Sequence, residues 1–198
     1  MTQRTDVLQS FIDAALDAFE QSALALEARR TIAGISTALK TPGSASAGPA
    51  GRMPACQQLG GALALTTENP VLLRLVERFL AIEPQLLWDL KTNYGPTASP
   101  NFDEEHANTM IIGPGGLEER QDLWLGATLM APHVRYPDHT HPPEEVYLVL
   151  TPGEFRQGEG AWFNPGVGGS LYNPPRIRHA MRAVDAPFFA FWALLAET

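Results

Sequence analysis

Cysteine is almost missing from this chain. A single thiol, Cys56, stands among 198 residues, so no intrachain disulfide can form and stability must come from burial, which fits a reducing compartment. Cys56 is remote from the histidines and reads as a small buried residue rather than a nucleophile. Positive charge is scarce as well: 14 Lys and Arg stand against 22 Asp and Glu, for a formal net charge of −8. With no basic stripe to neutralise phosphates, nucleic acid is excluded as a partner. No apolar run is long enough to span a bilayer, and the opening Met-Thr-Gln-Arg-Thr-Asp lacks the basic-then-apolar pattern of a secretory leader. The expectation is a cytoplasmic protein with no membrane partner. Its length suits one domain with a sizeable core.

Histidine is rare too, and unevenly placed. Of five histidines, two lie in the stretch Tyr136-Pro-Asp-His139-Thr-His141-Pro-Pro-Glu144-Glu145-Val-Tyr147, and His179 lies downstream. Pro137 and the pair Pro142-Pro143 argue against helix here. In an extended segment, side chains at i and i+2 share a face, so His139 and His141 project together. Beyond them Glu-Glu-Val-Tyr-Leu-Val-Leu is rich in strand formers, with Glu145 and Tyr147 on one face and Glu144 turned outward. Two imidazoles and a carboxylate suit zinc, iron, manganese, nickel or copper. Read alone, the same residues also fit a histidine pair on a Pro-rich surface loop.

The chain divides into unlike halves. Residues 5–30 carry apolar side chains at helical spacing (Leu8, Phe11, Ile12, Ala15, Leu16, Phe19), with Thr5 or Asp6 as N-cap. Residues 32–39 continue as a short helix. The turn-rich stretch 41–53 reads equally as a mobile loop over the site or as a linker. Asn69-Pro70 opens a helix over 71–80, and Glu83-Pro84 starts another to about Lys91. From residue 108 the pattern changes to short strands at 109–112, 122–130, 145–150, 154–157, 169–172, 179–182 and 188–193. Such spacing predicts a sandwich or barrel. The expected division is a helical region over 1–105 packing on a β-barrel over 106–198, together one structural unit. His106, in Asp-Glu-Glu-His, reads as an exposed loop residue.

The downstream run Gly168-Gly-Ser-Leu-Tyr172-Asn-Pro174-Pro175-Arg-Ile-Arg-His179 resembles the second motif of the cupin superfamily through Gly168, Pro174 and His179. The first motif is matched by His139, His141, Glu145 and Gly153. His133 stands where the first motif opens with glycine, Gly153 comes one residue late, Arg176 replaces the second motif's glycine, and that motif's trailing Asn is missing. The resemblance implies a mainly β protein: a single cupin barrel (double-stranded β-helix, or jelly roll) in the C-terminal half, after an α-helical N-terminal part. It further implies that His139, His141, Glu145 and His179 hold one divalent transition metal, taken as zinc, iron or manganese.

Two tyrosines narrow the resemblance. Tyr-x-x-His-x-His-x-x-x-Glu-x-Tyr with a later histidine is similar to the cupin-type dimethylsulfoniopropionate lyases of the DddQ and DddL kind, which share the helical N-terminal part and the single barrel. This implies cleavage of a small sulfonium carboxylate to dimethyl sulfide and acrylate. Tyr147 takes the α-proton, with or without ligating the metal itself, and Tyr136 supports it or holds the substrate. A phenol of pKa near 10 needs help to act as a base, and a nearby divalent cation provides it. An onium group favours aromatic faces, for which Trp124, Trp162, Tyr172 and Trp192, with Phe191, are the candidates, though each also suits a core. Arg135, Arg176 and Arg178 flank the motifs and could pair with a carboxylate, and His133 could stand behind the ligands. A homodimer is compatible with the sequence. Other classes also fit a cupin: an iron-dependent dioxygenase, a sugar isomerase or epimerase, or a non-enzymatic ligand-binding module.

Overall fold

The computed structural model describes residues 4–46, 48–64 and 67–196. The N-terminal part is helical: α1 (Asp6–Ser22), α2 (Leu26–Ala38), a short α3 (Leu59–Leu63), α4 (Pro70–Ile82) and a single turn, α5 (Phe102–Glu105). Thr5 is the N-cap of α1, its hydroxyl accepting from the Leu8 amide, and Asn69 with Pro70 opens α4 as expected. The helix expected over 5–30 is in fact two, broken at Ala23, whose backbone is extended while its amide still bonds to the Phe19 carbonyl. No Gly or Pro marks the break, so propensity alone could not place it.

The helix expected from Glu83 to about Lys91 is replaced by one 3₁₀ turn over Glu83–Gln85 and an edge strand, β2 (Trp88–Asp89). Leu86 and Trp88 are buried while Leu87 is exposed, a period of two that belongs to a strand. Trp88 also donates its indole N–H to Glu83 Oε1 at 3.0 Å, tying the strand back to the turn. The stretch 41–53 enters the sheet through β1 (Ser44–Ala45), which pairs with β4 (Glu118–Glu119).

The remaining strands are β3 (His106–Ile112), β5 (Leu123–Met130), β6 (Arg135–His139), β7 (Glu144–Val149), β8 (Glu154–Gln157), β9 (Ser170–Asn173), β10 (His179–Arg182) and β11 (Phe188–Leu195). They form two facing sheets, a large one ordered β1-β4-β3-β5-β11-β7-β9 with β2 beside β3, and a small one ordered β6-β10-β8. This is a cupin barrel preceded by helices. The inward faces of both sheets enclose one apolar cluster, including Tyr136, Tyr147, Phe155, Met181 and Phe188. The outward face of the large sheet is covered by the helices in a second cluster, where Phe79 of α4 meets Phe189 and Phe191 of β11 at ring distances of 5.4 and 5.1 Å. Burial on both faces explains why β5 and β11 read as nearly unbroken apolar runs. Against expectation, His106 is fully buried at the start of β3, stacked on Phe102 with ring centroids 3.6 Å apart.

Candidate active site

Both sheets contribute to one point inside the barrel. The register pairs His139 of β6 with His179 of β10, and His141 follows two residues beyond His139. Their ligand atoms all lie within 4.8 Å of one another. From the opposite sheet Glu145 of β7 reaches across, its Oε2 3.2 Å from the Nε2 atoms of both His141 and His179. Asn173 of β9, opposite Glu145 in register, donates its amide to the same oxygen at 2.9 Å and is itself held by Gln157 at 2.7 Å. The Glu145 carboxyl is therefore held well below the usual carboxylate range. Burial alone would raise it, and the two histidines outweigh that.

Each imidazole is fixed in the same tautomer. Nδ1 of His139, His141 and His179 lies 2.8, 2.9 and 3.0 Å from the backbone carbonyls of Pro137, Pro143 and Ile177. A carbonyl can only accept, so in each neutral ring Nδ1 carries the proton and Nε2 offers a lone pair. The His179 Nε2 is buried and has no hydrogen-bond partner. Three lone pairs and an ionised carboxylate turned on one another are a donor set that a divalent cation satisfies, with carbonyl-oriented imidazoles of the kind that metal sites use. These three histidines can hold a metal ion, and Glu145 is placed to join them.

A cavity of about 300 Å³ opens beside the cluster. Tyr136 and Tyr147 both line it, as do Trp124 and Trp192. Burial, and then the charge of Glu145, pushes the Tyr147 phenol far above its ordinary value. Burial likewise raises Tyr136, although an amide donated by Asn108 works against it. That amide ends a directional chain: Trp192 Nε1 donates to Thr128 Oγ1 at 3.2 Å, Thr128 to Asn108 Oδ1 at 2.6 Å, and Asn108 Nδ2 to Tyr136 Oη at 3.1 Å. The Tyr136 oxygen thus accepts from the protein, leaving its own proton free for the cavity. Asn108, Thr128 and Lys91 also line the cavity, and none belongs to a sequence motif. The only legible sign of Asn108 and Thr128 was a polar residue within an apolar strand.

Trp162 and Tyr172, expected against the substrate, lie elsewhere. Trp162 is occupied on the far side of the small sheet by the guanidinium groups of Arg182, Arg156 and Arg135, at 4.4, 5.2 and 5.5 Å from its ring. Tyr172 pairs in register with outward-facing Val146, one residue out of phase with Tyr147, and donates its hydroxyl to Glu144 Oε2 at 2.8 Å. Phe191 is fully buried on the helix side, one residue out of phase with Trp192. Among the described residues no part of 41–53 borders the cavity, and neither do His133, Arg135, Arg176 or Arg178.

The motif departures have a shared geometry. His133 and Arg176, which stand where the cupin motifs carry glycine, both adopt left-handed backbone, with φ of 64° and 62°. The turns persist without glycine, at a cost of roughly 1 kcal/mol each. Arg176 is pinned to the ligand loop, its amide bonding to the His141 carbonyl at 3.0 Å and its own carbonyl accepting from Thr140 at 2.8 Å. Gly153 is required for a different reason, since a Cβ there would lie 2.2 Å from the Phe188 ring.

A barrel lumen holding three convergent imidazoles, a carboxylate and two tyrosines defines a cupin whose donor set could hold a metal beside a small ligand cavity. Within that class, the chain belongs to the dimethylsulfoniopropionate lyase family, whose sequence profile matches residues 27–190. It is 30% identical over 115 residues to the dimethylsulfoniopropionate lyase DddQ of Ruegeria pomeroyi, covering 58% of this chain and 57% of that one. It is 29% identical over 133 residues to the putative dimethylsulfoniopropionate lyase DddL of Cereibacter sphaeroides, covering 67% and 54%. The chain thus spans a little over half the length of these two relatives. The crystal structure of the Ruegeria pomeroyi DddQ superposes over 98% of this chain and 93% of that one, with a TM-score of 0.76 at 24% identity, which shows the shared fold. No helix among the described residues is long and apolar enough to cross a membrane.

Proposed function

We propose that this protein is a carbon–sulfur lyase that cleaves dimethylsulfoniopropionate to dimethyl sulfide and acrylate, with Tyr147 as the base and one divalent metal on His139, His141, His179 and Glu145. The observation that carries this reading is the placement of Tyr147, a buried phenol on the same face of β7 as Glu145, bordering the cavity beside the histidine cluster. Tyr147 takes the proton from the carbon next to the substrate carboxylate. The electron pair of that C–H bond becomes the new C=C bond, and the C–S bond breaks with its pair leaving on sulfur as neutral dimethyl sulfide. A divalent ion at the cluster supplies Lewis acidity, stabilising charge on the substrate carboxylate and lowering the pKa of the adjacent phenol. That help matters, because burial and Glu145 together keep the unaided phenol protonated at neutral pH. Tyr136, its oxygen already accepting from Asn108, directs its own proton to the ligand. Trp124 and Trp192 offer aromatic faces to the sulfonium.

The test is headspace detection of dimethyl sulfide from purified, metal-quantified protein under nitrogen, with Tyr147→Phe alongside. Release should continue without oxygen, which a dioxygenase cannot do. The variant should keep its metal and lose about 10²- to 10⁴-fold in turnover, as for a missing general base. Full release by the variant would remove Tyr147 from the mechanism, and no release by the parent protein would remove the lyase reading.

A further inference from the structure

The geometry points to Lys91 as the residue that recognises a carboxylate in the cavity, so that the site takes short ligands with a carboxylate at one end. Lys91 follows edge strand β2, outside both cupin motifs, and its side chain lines the cavity with Tyr136 and Glu145. Its ammonium nitrogen lies 5.8 Å from the centre of the Tyr136 ring, the tyrosine whose free proton also faces the cavity. Among the described residues this ammonium forms no ion pair and no side-chain hydrogen bond. Glu145 is the carboxylate whose charge reaches it, but that group already serves His141, His179 and Asn173. A lysine without a counter-charge normally turns to water. Here the backbone is pinned: the Lys91 amide donates to His106 Nε2 at 2.9 Å. His106 in turn donates Nδ1–H to the Phe102 carbonyl and stacks on the Phe102 ring. A fully buried neutral histidine thus anchors the residue that aims a cation into the cavity, which explains why a histidine is buried at the start of β3.

Burial lowers the Lys91 pKa, partly offset by Glu145, so an anion arriving in the cavity stabilises the charged form. The aromatic walls are on other strands: Trp192 on β11 packs over Gly126, and Trp124 lies in the next row of β5. Cationic and aromatic surfaces facing one cavity suit a zwitterion whose negative end meets Lys91 and whose onium end meets the indoles. The onium half of this statement rests on the lyase reading, whereas the carboxylate half stands on Lys91 alone.

The experiment separates the two halves with probes that each carry one charge. Propionate and trimethylsulfonium are titrated into the full chain at matched metal content, followed by calorimetry and tryptophan fluorescence, for the parent protein, Lys91→Met and Lys91→Arg. Lys91→Met should weaken propionate binding roughly ten- to hundredfold, the loss expected for a charge-assisted hydrogen bond, and leave trimethylsulfonium binding unweakened. Lys91→Arg should restore most of the propionate affinity, and KM for dimethylsulfoniopropionate should rise in Lys91→Met by the same factor as the propionate dissociation constant. Unchanged propionate affinity in Lys91→Met, equal weakening of both probes, or no propionate binding by the parent protein would each overturn the assignment. Propionate binding that depends on Lys91 in a protein releasing no dimethyl sulfide would instead leave Lys91 in place and remove the lyase reading.

Discussion

His139 and His141 share a tautomer but do not titrate alike. Burial, reinforced by neighbouring His179, pushes His139 down to about 3, so its lone pair stays available throughout the physiological range. His141 is held above the ordinary imidazole value, because contact with the Glu145 carboxylate outweighs the opposing effect of burial. A metal arriving below the pKa of His141 must therefore displace a proton from that ring, whereas His139 has none to lose. Metal affinity should rise with pH until His141 is neutral, an end point that lies above the ordinary imidazole value. Competition titrations with a chelator from about pH 5 to about pH 8 check this, and His141→Gln should flatten the dependence while weakening binding. Affinity that stays constant with pH, or falls as pH rises, would contradict it. At this scale the sequence was informative about ligands, because strand alternation and the spacing from His139 to Glu145 are local properties. Lys91 and Asn108 were not legible. They reach the cavity through tertiary placement, Lys91 through a buried histidine whose surroundings Asp103, Glu104 and Glu105 made look solvent-exposed.

Strands decide which side chains enter the barrel, and their phase is set by partners rather than by composition. In β11 the run Phe-Phe-Ala-Phe-Trp-Ala-Leu-Leu gives no polar alternation, so sequence could not tell that Phe191 faces the helices and Trp192 the cavity. The same ambiguity left Tyr172 among the aromatic candidates for the cavity. Gly126 of β5 is the counterpart that lets Trp192 lie flat. A Cβ there would fall 2.3 Å from the indole ring and 2.4 Å from the Thr109 carbonyl, a backbone atom that cannot swing aside. Gly126→Ala should cost about 1–3 kcal/mol through overpacking, lowering the melting temperature by roughly 2–4 °C per kcal/mol at this chain length. Turnover should fall with it, since displacing Trp192 breaks its bond to Thr128 and loosens the chain of donors ending at Tyr136. An unchanged melting curve, or lost stability with full turnover, would show that the ring can move without consequence for the cavity.

At the scale of the whole molecule, the helical half and the barrel share a core. The periodicity of α1 and α4 revealed two amphipathic helices but not what they cover. It is the doubly buried large sheet that needs covering, with Val146, Leu148, Phe189 and Phe191 turned outward from the barrel. Phe79 of α4 sits at the junction, 6.1 Å from Phe11 of α1, 6.4 Å from Trp88 of β2, and against both β11 phenylalanines. It is fully buried, and truncating such a ring costs about 3–5 kcal/mol because the cavity left behind cannot collapse. That is a large share of the stability of any domain of this kind. We expect Phe79→Ala to lower the stability of helices and barrel together, giving one transition by far-ultraviolet dichroism, which follows the helices, and by tryptophan fluorescence, to which Trp124 and Trp192 of the barrel cavity contribute beside Trp88 and Trp162. Coincident curves would mean that the helices are part of the frame behind the metal ligands, since β7 carries Val146 and Leu148 against them and Glu145 and Tyr147 toward the site. Loss of the helical signal at a temperature where the barrel tryptophans and metal binding are still intact would show instead that the barrel holds its site alone.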